Sequence, residues 1–219
     1  MRTTPEAAPT RTGRPTRAEA AQLAERIREA ALAVFLDRGF ELTTMEAVAQ
    51  AAGVTKRTLY GRYSDKHALF AAVVTWALSR WDRPIPDVTA EDLEQGLLAI
   101  GRPMLSWALD PDVVKLSRIA VAEADRFPEF AHNTQSLTWS PRMRAVMDLL
   151  QRHIDDGALQ IDDIESAAEQ FLSLVTLMPA RLAMFGITRS PEHEEKHLRR
   201  AVSLFLNGIL PRGADRSQS

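Results

Sequence analysis

The chain has 219 residues, no cysteine, a hydrophobic fraction of 45% and a charged fraction of 26%. That balance is ordinary for a soluble protein with a real core, and it excludes disulfides, thiol nucleophiles and cysteine-ligated zinc. The net charge of −2 hides an asymmetry: residues 1–80 hold 12 Lys/Arg against 8 Asp/Glu, and residues 81–219 hold 15 against 21. A basic first part joined to an acidic remainder suits a nucleic-acid module attached to something else. The N-terminus lacks an apolar signal core, and the longest apolar run, Phe171 to Ala180, is too short to span a bilayer. A soluble cytoplasmic protein with no membrane partner is expected.

Residues 1–17 are rich in Pro, Thr and Arg, show no periodicity, and read as a flexible basic arm. Arg11, Arg14 and Arg17 surround Gly13-Arg14-Pro15, and an Arg in such a segment suits an A·T-rich minor groove; a solvated tail is the plain alternative. Residues 18–38 carry the stripe Leu23, Ile27, Ala31, Val34 and Phe35 of an amphipathic helix, with Glu25, Arg26, Arg28 and Glu29 on its wet face. Gly39 stops it. Phe40 and Leu42 then lead into TTMEAVAQAAGVTKRTLYGRYSDK, Thr43 to Lys66.

In that stretch Thr43, with Glu46 three residues on, reads as a capping box. Met45, Val48 and Ala49 form the inner face of a short helix, and Gly53 supplies the φ > 0 of a sharp turn. Thr55 caps a second helix from Lys56 to about Arg62. Leu59 faces the core, which leaves Lys56, Arg57, Thr58, Tyr60 and Tyr63 outward. Two cations, a hydroxyl and aromatics on a short helix suit a major groove lined with phosphates, in the geometry of a helix-turn-helix. Two small helices about a Gly turn also occur in helical proteins of any function. Ser64 caps the next helix, which runs to about Trp81. Lys66 lies at the unfavourable end of that helix dipole for a cation, which a phosphate shared with the helix N-terminus would explain. The helix leaves the DNA-reading part and is a candidate lever.

Asp82-Arg83-Pro84-Ile85-Pro86 closes this first domain, 18–82. Beyond it the pattern predicts only helices, at about 90–101, 103–109, 111–126, 128–137, 141–156, 163–185 and 191–208. Breakers fall at Pro103, Asp110-Pro111, Pro128, Ser140-Pro141, Gly157, Gly186 and Ser190-Pro191. The fold class is therefore all-α: a three-helix helix-turn-helix domain, a larger C-terminal helical domain over 83–212, to which the family resemblance given below assigns ligand binding and dimerisation, and a disordered tail at 213–219.

Candidates to line an apolar ligand cavity are Trp76, Leu105, Trp107, Ile119, Phe127, Phe130, Trp139, Met143 and Met147, with plain core as the alternative. Glu123 shares a helical face with Leu116, Ile119 and Phe127. Pointing inward it needs a partner, and Arg118, Arg126 or a cationic ligand would serve. The last two helices read as a dimer seam. Phe171, Val175 and Met178 lie on one face, Leu174 and Leu177 on a second, and Leu198, Val202 and Phe205 on the final helix. Burial of both helices within one subunit is the alternative. His193-Glu194-Glu195-Lys196-His197 fits the H-E-x-x-H zinc signature. It is polar all round, no Glu or third His follows in the extended pattern, and no metal is expected there.

From about Ala24 to Ala72 the chain resembles the DNA-binding domain of the TetR family of bacterial transcriptional regulators. The resemblance is carried by Phe35-Leu36-Asp37-Arg38-Gly39-Phe40, Thr43-Thr44-Met45, Val48-Ala49, Ala52-Gly53-Val54-Thr55, Leu59-Tyr60, Tyr63, Lys66 and Leu69-Phe70. Arg57 stands where a small residue is frequent in the family, and His67 where an acid is frequent. The segment from Val113 to Glu129 resembles the AefR-like branch of C-terminal domains. The resemblance implies phosphate contacts by Thr44, Tyr60, Tyr63 and Lys66, with Thr55 in the same DNA-binding set. It implies base reading by Lys56, Arg57 and Thr58. Arg57 is the candidate for a bidentate guanine contact.

The resemblance further implies a homodimer on a palindromic double-stranded operator. A small, largely apolar effector in the C-terminal domain would release the DNA, as in a repressor that needs no cofactor. An enzyme is disfavoured by the absence of a nucleophile motif, a phosphate-cradling loop and a dinucleotide fingerprint. A helical module that uses its basic face for a protein partner would bind no DNA.

Overall fold

The computed structural model describes residues 16–80, 92–126 and 141–209. Every regular element among them is helical. The helices are α1 (Arg17–Leu42), α2 (Met45–Ala51), α3 (Lys56–Tyr60), α4 (Lys66–Arg80), α5 (Leu93–Ala108), α6 (Pro111–Ala122), α7 (Pro141–Asp155), α8 (Ile164–Met184) and α9 (Pro191–Ile209). A 3₁₀ turn, Ala124–Arg126, follows α6.

α1 opens on a capping box: the Thr16 hydroxyl accepts from the Glu19 N–H at 3.2 Å, and the Glu19 carboxylate accepts from the Thr16 N–H at 2.7 Å. Its predicted stripe is the face that is buried, with Ile27, Ala31 and Phe35 fully enclosed. Gly39 breaks the helix with φ 74° and ψ 179°, a conformation that favours glycine. The chain then folds back and sets the Phe40 ring against Phe35 and Phe70. Around these rings α1 to α4 build one hydrophobic core, completed by Leu59, Leu69, Val73 and, from α6, Leu116.

Two predicted caps move by one residue. Thr43 does not cap α2; it is 1% exposed, and its hydroxyl donates to the Gly39 carbonyl at 2.6 Å. Thr44 is the cap, accepting from the Ala47 N–H at 3.1 Å. Asp65, not Ser64, accepts from the Ala68 N–H at 2.8 Å at the head of α4, and the Ser64 hydroxyl donates to the Asp65 carboxylate. Both places offer two adjacent capping residues, and only the path of the backbone decides between them.

α5, α7, α8 and α9 enclose a second core around Leu97, Ile100, Met143, Leu149, Phe171, Val175, Leu198 and Val202. Pro103 does not divide α5, which continues through it, and Pro179 likewise lies inside α8. A proline inside a helix costs about 3 kcal/mol on propensity alone. Here α5 is clamped by tertiary packing: a Cβ on Gly101 would lie 2.7 Å from the Leu198 side chain of α9. The predicted helix 128–137, the boundary at 82–86 and the tail lie outside the described residues.

α6 joins the two cores. It packs on α1 and α4 on one side and on α8 on the other. The Arg118 guanidinium donates to the Ala183 carbonyl of α8 at 2.6 Å.

Candidate nucleic-acid interface

A five-residue helix does not hold by itself in water. α3 is held by Leu59, wholly buried in the first core, and by Thr55, whose hydroxyl accepts from the Thr58 N–H at 3.1 Å. The Thr55 and Thr58 hydroxyls also meet at 2.9 Å. With Leu59 inward, Lys56, Arg57 and Tyr60 stand exposed and Thr58 is half-buried. Tyr63 follows the helix and leans, half-buried, on the core. α1 steadies the turn from outside: Arg26 donates to the Ala52 carbonyl at 3.2 Å, and Arg62 donates to the Ala20 carbonyl at 3.2 Å.

The two exposed cations of α3 differ. Among the described residues nothing pairs with the Arg57 guanidinium. The Lys56 ammonium sits 2.6 Å from the Glu46 carboxylate of α2, with both side chains more than half exposed. The hydrogen bond from Lys56, helped by the N–H of Glu46 itself, holds the Glu46 carboxyl below the usual carboxylate range. Glu46 therefore reaches across the turn rather than back to a cap. Nothing in the local sequence marks this pairing, because the residues belong to different helices.

Lys66 is placed differently from the expected phosphate contact. Its ammonium donates to the Phe40 carbonyl at 2.8 Å and to the Glu41 carbonyl at 3.1 Å, and it lies 4.4 Å over the Phe40 ring. The carbonyls at the end of α1 need donors, and this is the physical reason for a lysine at the head of α4. His67 stands edge-on to the same ring at 5.1 Å. Arg14 lies outside the described residues.

The candidate ligand residues do not converge on one place. Trp76 and Ile119 pack against the first core, and the Arg28 guanidinium lies 5.4 Å from the Trp76 ring. Met143 and Met147 belong to the second core. Trp107 lies under the Arg142 guanidinium at 4.0 Å, and its buried indole N–H has no acceptor among the described residues. Phe127, Phe130 and Trp139 lie outside the described residues. Glu123 is buried and pairs with Arg126 at 3.0 Å, and Arg126 also binds Glu41. That arginine ties the turn after α6 to the end of α1, with Glu41 drawn below the usual carboxylate range chiefly by its hydrogen bond.

The predicted dimer seam needs correction. Phe171, Val175, Leu198, Val202 and Phe205 are all buried in the subunit's own second core. Leu174, Leu177 and Met178 of α8 are exposed at 41%, 65% and 52%, and Leu204 of α9 is exposed at 65%. α8 is apolar on two faces, and periodicity alone does not say which one turns inward. Within the H-E-x-x-H segment, a His197 ring nitrogen lies 3.1 Å from the Val175 carbonyl, and Glu195, at a variable position, binds Arg102 at 2.9 Å and Arg199 at 3.0 Å. The signature's own Glu194 has a buried carboxylate oxygen with no hydrogen-bond partner among the described residues.

A core built by α1 to α4 that presents a short cationic helix, bridged by α6 to a second helical core, has the geometry of a helix-turn-helix DNA-binding protein. Residues 27–73 match the model of the bacterial regulatory proteins of the tetR family, and residues 95–208 match the C-terminal domain of AefR-like transcriptional repressors. The second match spans more than half of the chain, and the chain belongs to the TetR family.

It is similar to the transcriptional regulator SrpR of Pseudomonas putida, 26% identical over 166 residues, which is 74% of this chain and 76% of that one. The transcriptional repressor BepR of Brucella suis biovar 1 (strain 1330) is 35% identical over 96 residues, 39% of this chain and 44% of that one. Among solved structures, a TetR-family regulator from Mesorhizobium loti MAFF303099 superposes with a TM-score of 0.80 at 29% identity, covering 90% of this chain and 100% of that one. The flavonoid-responsive regulator FrrA superposes at 0.70 with 30% identity, covering 88% and 100%. These relatives are regulators of transcription and not enzymes.

Proposed function

We propose that the protein is an effector-responsive repressor that binds a palindromic operator as a cytoplasmic homodimer. The observation that carries this reading is the outward face of α3. Arg57 is exposed and unpaired on a helix anchored by buried Leu59, and Thr44, Thr55, Thr58, Tyr60 and Tyr63 frame it for phosphate and base contact. Arg57 reads guanine, and Lys66 supports the site by tying α4 to the end of α1. Repression is supported by the AefR-like repressor match and by BepR.

The effector site belongs to the C-terminal helices, where Met143 and Met147 of the second core supply adaptable apolar surface and Trp107, under Arg142, carries an indole N–H without an acceptor among the described residues. A small, largely apolar molecule fits that chemistry, and the flavonoid responsiveness of FrrA is in keeping with it. The signal passes through α6, which touches both cores, together with α4. The test is selection of binding sites from a random duplex library, followed by titration of the enriched site over a range of salt. A palindromic motif whose log affinity falls linearly and steeply with log salt supports the reading. No enriched motif would contradict it.

A further inference from the structure

We propose that Glu46 is a specificity-determining positioning residue, which holds Lys56 off the DNA phosphates and makes its use conditional on the correct base. The proposal rests on the reading that the α3 face binds DNA. Glu46 stands in the first turn of α2, exposed, on the side away from buried Met45, Val48 and Ala49. Lys56 is the first residue of α3, and its ammonium lies 2.6 Å from the Glu46 carboxylate. The pair bridges the starts of α2 and α3 and is exposed, on the same short helix as outward-facing Arg57.

A carboxylate at a surface meant for phosphates is unfavourable unless it performs a task. Thr44 already caps α2, so the cap does not require Glu46, whose carboxylate, helped by its own first-turn N–H, is turned toward Lys56. Its partner is a cation that would otherwise engage any phosphate of any sequence. Pairing makes the two side chains neutral toward a non-specific duplex, and Arg57 is left as the unpaired charge on α3. Lys56 gives up Glu46 only where guanine O6 and N7 offer acceptors aligned with it, and the vacated carboxylate then faces a position where a cytosine N4 amino group can donate. Non-specific affinity is lowered at every site, while the loss is recovered only at the cognate one.

The experiment applies the same random-library selection to wild type, Glu46→Gln, Lys56→Met and the double variant. Each is then titrated against the enriched site and a random duplex across salt. Glu46→Gln is expected to bind the random duplex more tightly, with a log–log salt slope steeper by about 0.9 per subunit, the value of one added phosphate contact. The ratio of specific to non-specific affinity falls by about tenfold, the scale of one base discrimination. One position of the motif loses its preference. Lys56→Met flattens the same position, and the double variant is no worse than either single one. Lys56→Met reaches the pair from the other side, so poor folding of one variant leaves the test standing. An unchanged motif, ratio and slope in Glu46→Gln would overturn the proposal while leaving DNA binding intact. No motif for wild type would overturn both.

Discussion

Thr43 and Thr44 are adjacent, chemically identical, and do different things. Thr43 is sealed inside, and its hydroxyl ties the chain back to Gly39, where α1 has just turned through a left-handed φ. Thr44 is exposed and caps α2. Replacing Thr43 by Val keeps the shape and strands the Gly39 carbonyl, so Thr43→Val should cost about 1–3 kcal/mol in urea unfolding. Thr44→Ala removes only a cap and should cost about 1 kcal/mol. Equal losses would show that the buried hydrogen bond adds nothing beyond capping. The sequence pointed to a cap in this place but not to which threonine made it, since both satisfy the same rule. Arg57 shows the opposite case: outward projection followed directly from the inward position of Leu59, two residues away.

Elements are where sequence pattern and tertiary structure part company. α1, α6, α7, α8 and α9 lie close to where periodicity and capping put them, because amphipathic stripes and N-terminal prolines are local signals. α5 was expected to end at Pro103, and it does not, because neighbouring helices hold it. α4 has Lys66 at its head for the sake of α1. Lys66→Met should therefore lower the melting temperature of the free protein while leaving the salt slope of DNA binding unchanged. A slope flattened by about 0.9 per subunit would instead assign Lys66 to a phosphate.

α5 and α9 are joined at the surface by Arg102 and Glu195. The arginine, by its hydrogen bond first, holds the Glu195 carboxyl below its ordinary value of 4.5. A carboxyl depressed in the folded state adds stability above that ordinary value and loses it as pH falls through the folded one. Glu195→Gln should melt lower than wild type near neutral pH, by at most about 2–4 °C, and the two curves should converge below pH 4.5. A gap that stays constant with pH would mean the loss is packing and not charge.

For the whole molecule, a basic, motif-bearing first part followed by helices of different character points to two helical cores, and two are present, though the double proline lies outside the described residues and Leu116 and Ile119 of α6 pack in the first core. The contacts between the cores are not legible in the sequence. Arg126 to Glu41, Arg118 to Ala183 and Leu116 in the first core join residues remote in sequence, and no local rule encodes such pairs. The inward face of α8 is also not legible, since that helix is apolar on more than one side, and the single apolar stripe of α9 turns inward on the subunit's own core. Leu174, Leu177 and Met178 on α8 and Leu204 on α9 are exposed, as are Phe185 and Ile187 just beyond α8, and in the proposed homodimer this apolar surface is what a two-fold partner would cover. Leu177→Glu should give a monomer by sedimentation equilibrium with its helicity retained, and bind a palindromic site far more weakly. A variant that remains dimeric would move the interface elsewhere.

In the proposed reading, α3 recognises its DNA sequence through Arg57. The direct measurement is the affinity of wild type and Arg57→Ala for the selected operator and for a random duplex at one salt concentration. Arg57→Ala should lose about 1–3 kcal/mol per half-site on the operator and change little on random DNA. Equal losses on both would show that Arg57 only touches phosphate, and would contradict that reading.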